Sequence, residues 1–141
     1  MQVIEVARYS EEVLENINAL LPLLSSSARP IQERELRFII EHPSVHLLLA
    51  QENENYLGTL TLAVFPIITG TRAWIEDVVV SESARGKGVG KMLTSEAIIL
   101  AKKLGAKTVD LTSRPSRKAA NELYKKAGFE LRETNAYRFN V

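Results

Sequence analysis

Cysteine is absent from the 141 residues, which excludes a disulfide framework, a thiolate metal site and any acyl-cysteine intermediate. Histidine is scarce: there are only two, His42 and His46. Their spacing of four would suit a helical metal pair, but Pro43 between them disfavours a helix, and no metal is expected. Aromatic residues make up 6% of the chain, few for a protein that stacks single-stranded nucleic acid. No apolar run approaches the roughly twenty residues of a membrane span, and the opening MQVIEVARYSEE has neither the basic start nor the apolar core of a secretory signal. The expectation is a single cytoplasmic domain over residues 1–141, without a nucleic-acid or membrane partner.

What is present matches an ordinary globular chain, 45% hydrophobic and 25% charged with a net charge of +1. The distribution of charge says more than its sum. Residues 1–84 hold 5 Lys and Arg against 12 Asp and Glu, whereas residues 85–126 hold 11 against 3. A basic segment suits a polyanionic ligand, and an acidic remainder attracts a cationic amine through its summed field.

Hydrophobic periodicity divides the chain without a linker or repeat. Val3 to Ala7 reads as a strand, and Ser10 caps an amphipathic helix through Val13, Ile17 and Leu20 that ends near Pro22. Ile31 to Glu41 is helical, with Pro43 as its stop. His46 to Gln51 and Tyr56 to Phe65 read as a hairpin, and Ala73 to Val80 as a further strand. The period then changes to that of a helix from Val89 to Leu104, closed by Gly105. Lys107 to Thr112 is a strand, a helix opens at Pro115-Ser116 and closes at Gly128, and short strands are expected at Phe129 to Arg132 and Tyr137 to Val141. The order β-α-α-β-β-β-α-β-α-β-β predicts a mixed α/β fold, one sheet with helices on both faces.

The strand-to-helix junction carries the main motif, Arg85-Gly86-Lys87-Gly88-Val89-Gly90 followed by Lys91. A nucleotide-triphosphate loop fails, because the required glycine and hydroxyl positions hold Arg85 and Met92. A dinucleotide fingerprint fails because its last glycine would be Lys91. What remains is Arg-x-x-Gly-x-Gly between the apolar strand Val78-Val79-Val80 and a helix. Glycines there admit close approach to the backbone, and the helix N-terminus adds about half a positive charge. An anion is the expected guest.

At Arg85, Gly88 and Gly90 the chain resembles the GNAT superfamily of acetyl-CoA-dependent N-acetyltransferases, whose signature is Gln/Arg-x-x-Gly-x-Gly/Ala between the fourth strand and the third helix. The resemblance extends upstream to Ile75-Glu76-Asp77-Val78-Val79-Val80 and downstream to Asn121-x-x-Tyr124-x-x-x-Gly128-Phe129. It implies a mixed, mostly antiparallel sheet whose fourth and fifth strands splay apart. Pantetheine would lie in that opening along Val78, Val79 and Val80, bonded to the backbone of Val78 and Val80. Amides from Arg85 through Gly86, Lys87, Gly88, Val89 and Gly90 to Lys91 would take the pyrophosphate, with Arg114, Arg117 or Lys118 near the remaining phosphate. Asn121 would fix the cofactor through its amide. Homodimers are common in the family.

An alkyl ammonium, with a pKa near 10, must lose a proton before it attacks a thioester. Glu76 and Asp77 are the candidates, and alternation along a strand puts them on opposite faces. By resemblance Glu76 is favoured as base or water-orienting group, with Asp77 satisfying loop amides or a second substrate group. Tyr124 falls where the family often has a tyrosine that serves the departing thiolate. Without cysteine, direct attack in a ternary complex is expected. The acceptor is a small-molecule or peptide amine, with Leu23 to Pro30, Ile67 to Thr71 and Asn135 to Arg138 as candidate walls. The rival expectation is a noncatalytic acyl-CoA-binding module on the same fold.

Overall fold

The computed structural model describes residues 1–141. Strand β1 is Gln2–Glu5, followed by helices α1, Glu11–Leu24, and α2, Glu33–Glu41. Ser10 caps α1, its hydroxyl accepting from the Val13 N–H at 3.2 Å, and Glu11 and Glu12 complement the helix dipole in the first turn. The helix runs past Pro22 to Leu24 rather than ending there. The ring removes one donor, but bonding resumes beyond it, with the Ser25 N–H reaching the Leu21 carbonyl at 3.0 Å. At the start of α2 the Glu35 carboxylate accepts from the Gln32 N–H at 2.8 Å. It also pairs with Arg29, and these donors hold its carboxyl well below the usual range, at about 2.

Strands β2, Val45–Glu52, β3, Asn55–Ile67, and β4, Gly70–Val80, form an antiparallel meander that β1 extends at one edge. Helix α3 is Val89–Lys103, β5 is Thr108–Asp110 and α4 is Lys118–Lys126. The sheet order is β1-β2-β3-β4-β5, with only β5 parallel to its neighbour. Alternation along the strands divides the core between two faces. On one, Leu48, Leu60, Leu62, Ala73 and Ile75 meet Val89, Leu93, Ala97 and Ala101 of α3. On the other, Leu47 and Leu49 meet Val13 and Ile17 of α1 and Leu36 of α2. No helix is long and apolar enough to cross a membrane.

Two irregularities in β4 position the site. Its pairing with β5 covers only Arg72, Ala73 and Trp74, against Thr108, Val109 and Asp110. From Ile75 to Val80 its edge on that side has no ladder partner. This is the expected splay. On the β3 side Thr61 pairs with Glu76 and Thr59 with Val79, so Leu60 faces both Asp77 and Val78. That is a β-bulge, and Asp77 takes φ +51° to make it. Simple alternation over Glu76 and Asp77 therefore does not hold: both are exposed, and Val78 and Val80 return to the α3 side.

The C-terminal strands do not form. Residues 130–141 make no backbone–backbone hydrogen bond. Leu131, Tyr137 and Phe139 are each about nine-tenths exposed or more. The alternating pattern of the tail supplies a strand face, but a strand forms only where it is laid along a sheet edge, and the tail pairs with neither the outer edge of β5 nor the free edge of β4. Only the side chain of Arg132 reaches β5, 3.9 Å from Asp110. Helix α4 likewise starts two residues later than the Pro115-Ser116 signal, at Lys118.

Candidate functional site

The glycine turn follows a short 3-10 turn, Glu82–Ala84. Gly86 adopts φ +76° and Gly88 φ +83°, and a Cβ at either would meet nothing within 4 Å. Their missing side chains are thus required by backbone conformation, which L-residues pay about 1–2 kcal/mol to adopt. Gly90 differs. Its added Cβ would come to 3.0 Å from the Leu123 side chain, so this glycine lets α4 lie over the start of α3.

The turn is an amide cradle. The N–H groups of Arg85 and Lys87 reach the carbonyls of Glu82 and Ala84, both at 3.3 Å, whereas those of Gly86, Gly88, Val89, Gly90 and Lys91 have no acceptor in the protein. Unclaimed donors at a helix start favour an anion. Arg85, Lys87 and Lys91 are exposed around it, while Val89 is 1% exposed and roots the turn in the core. The unpaired edge of Val78 to Val80 leads into this cradle.

Helix α4 brings Asn121 and Tyr124 to the same region. The Asn121 amide donates to the carbonyls of Arg114 and Arg117 at 2.9 and 2.8 Å. Its donors hold the turn that precedes α4, and its oxygen is the uncommitted atom. Tyr124 is half-buried and packs edge-to-face on Phe129, with centroids 5.8 Å apart. Burial pushes its phenol up from the ordinary 10.0, and the charge of Arg117 offsets part of that. Just beyond β5, the Ser113 hydroxyl is buried without a partner.

Glu76 stands on the α1 and α2 side of the sheet, one residue before the bulge. Its Oε1 accepts from the Trp74 indole N–H at 2.7 Å. Sequence reasoning passed over Trp74, although its spacing of two from Glu76 in a strand puts both on one face. It also passed over the bulge, for which Asp at position 77 is the only local signal, being among the residues that tolerate the left-handed region. The two histidines lie on different elements, His42 at the end of α2 and His46 in β2 bonded to Glu5 at 2.6 Å. A hollow of about 1380 Å³ lies along α2, lined mainly by charged residues such as Arg29, Glu33, Arg34 and Arg37; it takes in Arg29 of the candidate wall Leu23 to Pro30 but none of the predicted catalytic or cofactor-binding residues.

The sequence model of the acetyltransferase (GNAT) family matches residues 13–129. The chain belongs to the GNAT family. Its GNAT match ends at Phe129, whose N–H bond to the Tyr124 carbonyl is the last backbone bond in the chain. An uncharacterized N-acetyltransferase of Methanocaldococcus jannaschii is 41% identical over 61 residues, 43% of this chain and 27% of that protein. YhfO of Bacillus subtilis, also named an uncharacterized N-acetyltransferase, is 35% identical over 91 residues, 63% of this chain and 60% of that one. The matches thus span less than two thirds of either relative. Among solved structures, an acetyltransferase of Trypanosoma brucei superposes with a TM-score of 0.80 at 27% identity, over 99% of both chains.

Proposed function

We propose that this GNAT protein transfers an acetyl group from acetyl-CoA to a primary amine by direct attack in a ternary complex. The observation that carries the reading is the cradle of unclaimed amides at Gly86 and from Gly88 to Lys91, set beside the unpaired edge of β4. These groups fit the donor in two chemically distinct ways. The cradle suits its pyrophosphate, and the free edge suits its peptide-like pantetheine arm. Acetyl-CoA supplies the activated acetyl thioester when bound.

The chain's own residues divide the remaining work. Arg85, Lys87 and Lys91 add positive charge around the cradle, and Arg114, Arg117 and Lys118 border the turn into α4. Glu76 takes a proton from the acceptor ammonium, directly or through water, so that the neutral nitrogen attacks. The Tyr124 phenol, ordinarily near 10 and raised further by burial, is protonated through the neutral range and donates to the departing sulfur. The acceptor is a small-molecule or peptide amine, drawn by the acidic balance of residues 1–84.

Acetyl-CoA should raise the melting temperature through native-state binding, and thiol should be released in the presence of a mixed panel of primary amines. No thermal shift at millimolar acetyl-CoA would overturn the donor assignment. A shift without transfer to any amine would select a noncatalytic acyl-CoA-binding module instead.

A further inference from the structure

Trp74 is the chain's only tryptophan and the last residue of β4 to pair with β5, opposite Asp110. Glu76 follows two residues later, past the point where the strands part. Both project from the face opposite Ala73 and Ile75, which are buried against α3. The indole donates to Glu76 Oε1 at 2.7 Å, a short, charge-assisted bond. An indole N–H has no acceptor function, so it holds a carboxylate without competing for the proton that the carboxylate takes. Asp77, the neighbouring acid, has no such bond and sits exposed on the bulge.

We propose that Trp74 is a positioning residue for Glu76, an inference that rests on Glu76 acting as the base. An unrestrained glutamate loses rotamer freedom each time it must meet a substrate at one angle. Anchoring Oε1 to a ring seated on the last paired rung removes that loss beforehand and leaves Oε2 as the oxygen presented to the ammonium proton. It also selects Glu76 over Asp77, since only one of the two acids is tethered to the sheet. Positioning of this kind acts on turnover rather than on donor binding.

A single tryptophan makes the bond directly observable. In the ¹⁵N-labelled full chain, the one indole N–H cross-peak should lie downfield of free tryptophan, and Glu76→Ala should move it upfield and speed its exchange with water. Turnover is followed as thiol release from acetyl-CoA with an equimolar mixture of primary amines. Trp74→Phe should lower kcat about tenfold with the KM for acetyl-CoA and the melting temperature unchanged, and should cause no further loss in the Glu76→Ala background. An unmoved cross-peak, or an equal loss from Trp74→Phe in both backgrounds, overturns the positioning role while leaving Glu76 as base. A moved cross-peak with full turnover in Glu76→Ala removes the base assignment and the positioning role together.

Discussion

Helices α3 and α4 flank the same glycine turn but are held in opposite ways. Helix α3 buries Val89, Leu93, Thr94, Ala97 and Ala101 against the sheet, whereas α4 buries no residue fully. What fixes α4 is a short series of contacts: Leu123 over Gly90, Tyr124 against Phe129, and the Asn121 amide on two carbonyls. The amide cradle is therefore an exposed turn anchored to the core through Val89, and it is formed before any ligand arrives. Tyr124 rides on an element with little apolar burial of its own, the kind that opens at low free energy. Under the proposed function, donor binding would have order to add at α4 and little to add at α3.

The sharpest way to break this contrast is to empty each helix in turn. Leu93→Ala should cost about 2–5 kcal/mol in urea denaturation, since Leu93 is fully buried. Leu123→Ala on α4 should cost about 1 kcal/mol, because that side chain is only partly buried. Equal losses would show that α4 is as firmly seated as α3. Next in size, Tyr124→Phe should lower kcat about 100-fold with the donor Kd nearly unchanged, measured by steady-state kinetics and calorimetry. A smaller effect belongs to the turn itself. Gly88→Ala forces a side chain to φ +83°, which should lower stability by about 1–2 kcal/mol and weaken acetyl-CoA binding in the same thermal-shift series. Smallest, Asn121→Ala should remove about 1 kcal/mol and raise hydrogen exchange across α4 while leaving α3 protected.

The parts of the fold that read clearly from sequence are those fixed by local chemistry. Ser10 caps α1, Pro43 follows the end of α2, and Gly105 and Gly128 take φ +83° and +96° where α3 and α4 close. Each signal acts over a few residues and needs no distant partner. The tail shows the converse. Tyr137, Phe139 and Val141 alternate as a strand should, yet pairing depends on an edge elsewhere in space, which periodicity cannot supply. Of the candidate site, the turn was legible because positive φ and the helix start demand glycine and leave amides free. The Asn121 bonds were not, because they are made to a turn whose shape appears only once α4 begins at Lys118. Pairing of Trp74 with Glu76 was available in the spacing but required knowing that β4 leaves β5 at that rung.

The bulge at Asp77 bears on how this strand could change. Glu76 faces Thr61 before it and Val79 faces Thr59 after it, with Leu60 alone opposite the pair Asp77 and Val78. Were Asp77 deleted, Val78 would stand opposite Leu60 as an ordinary rung, and every other pairing of β3 with β4 would keep its register. Ile75, Val78 and Val80 would still face α3, now in unbroken alternation. The sheet can spare this residue. Its removal should leave a folded protein and alter only the course of β4 toward the cradle, separating by one codon what the sheet needs to pair from what aims its free edge.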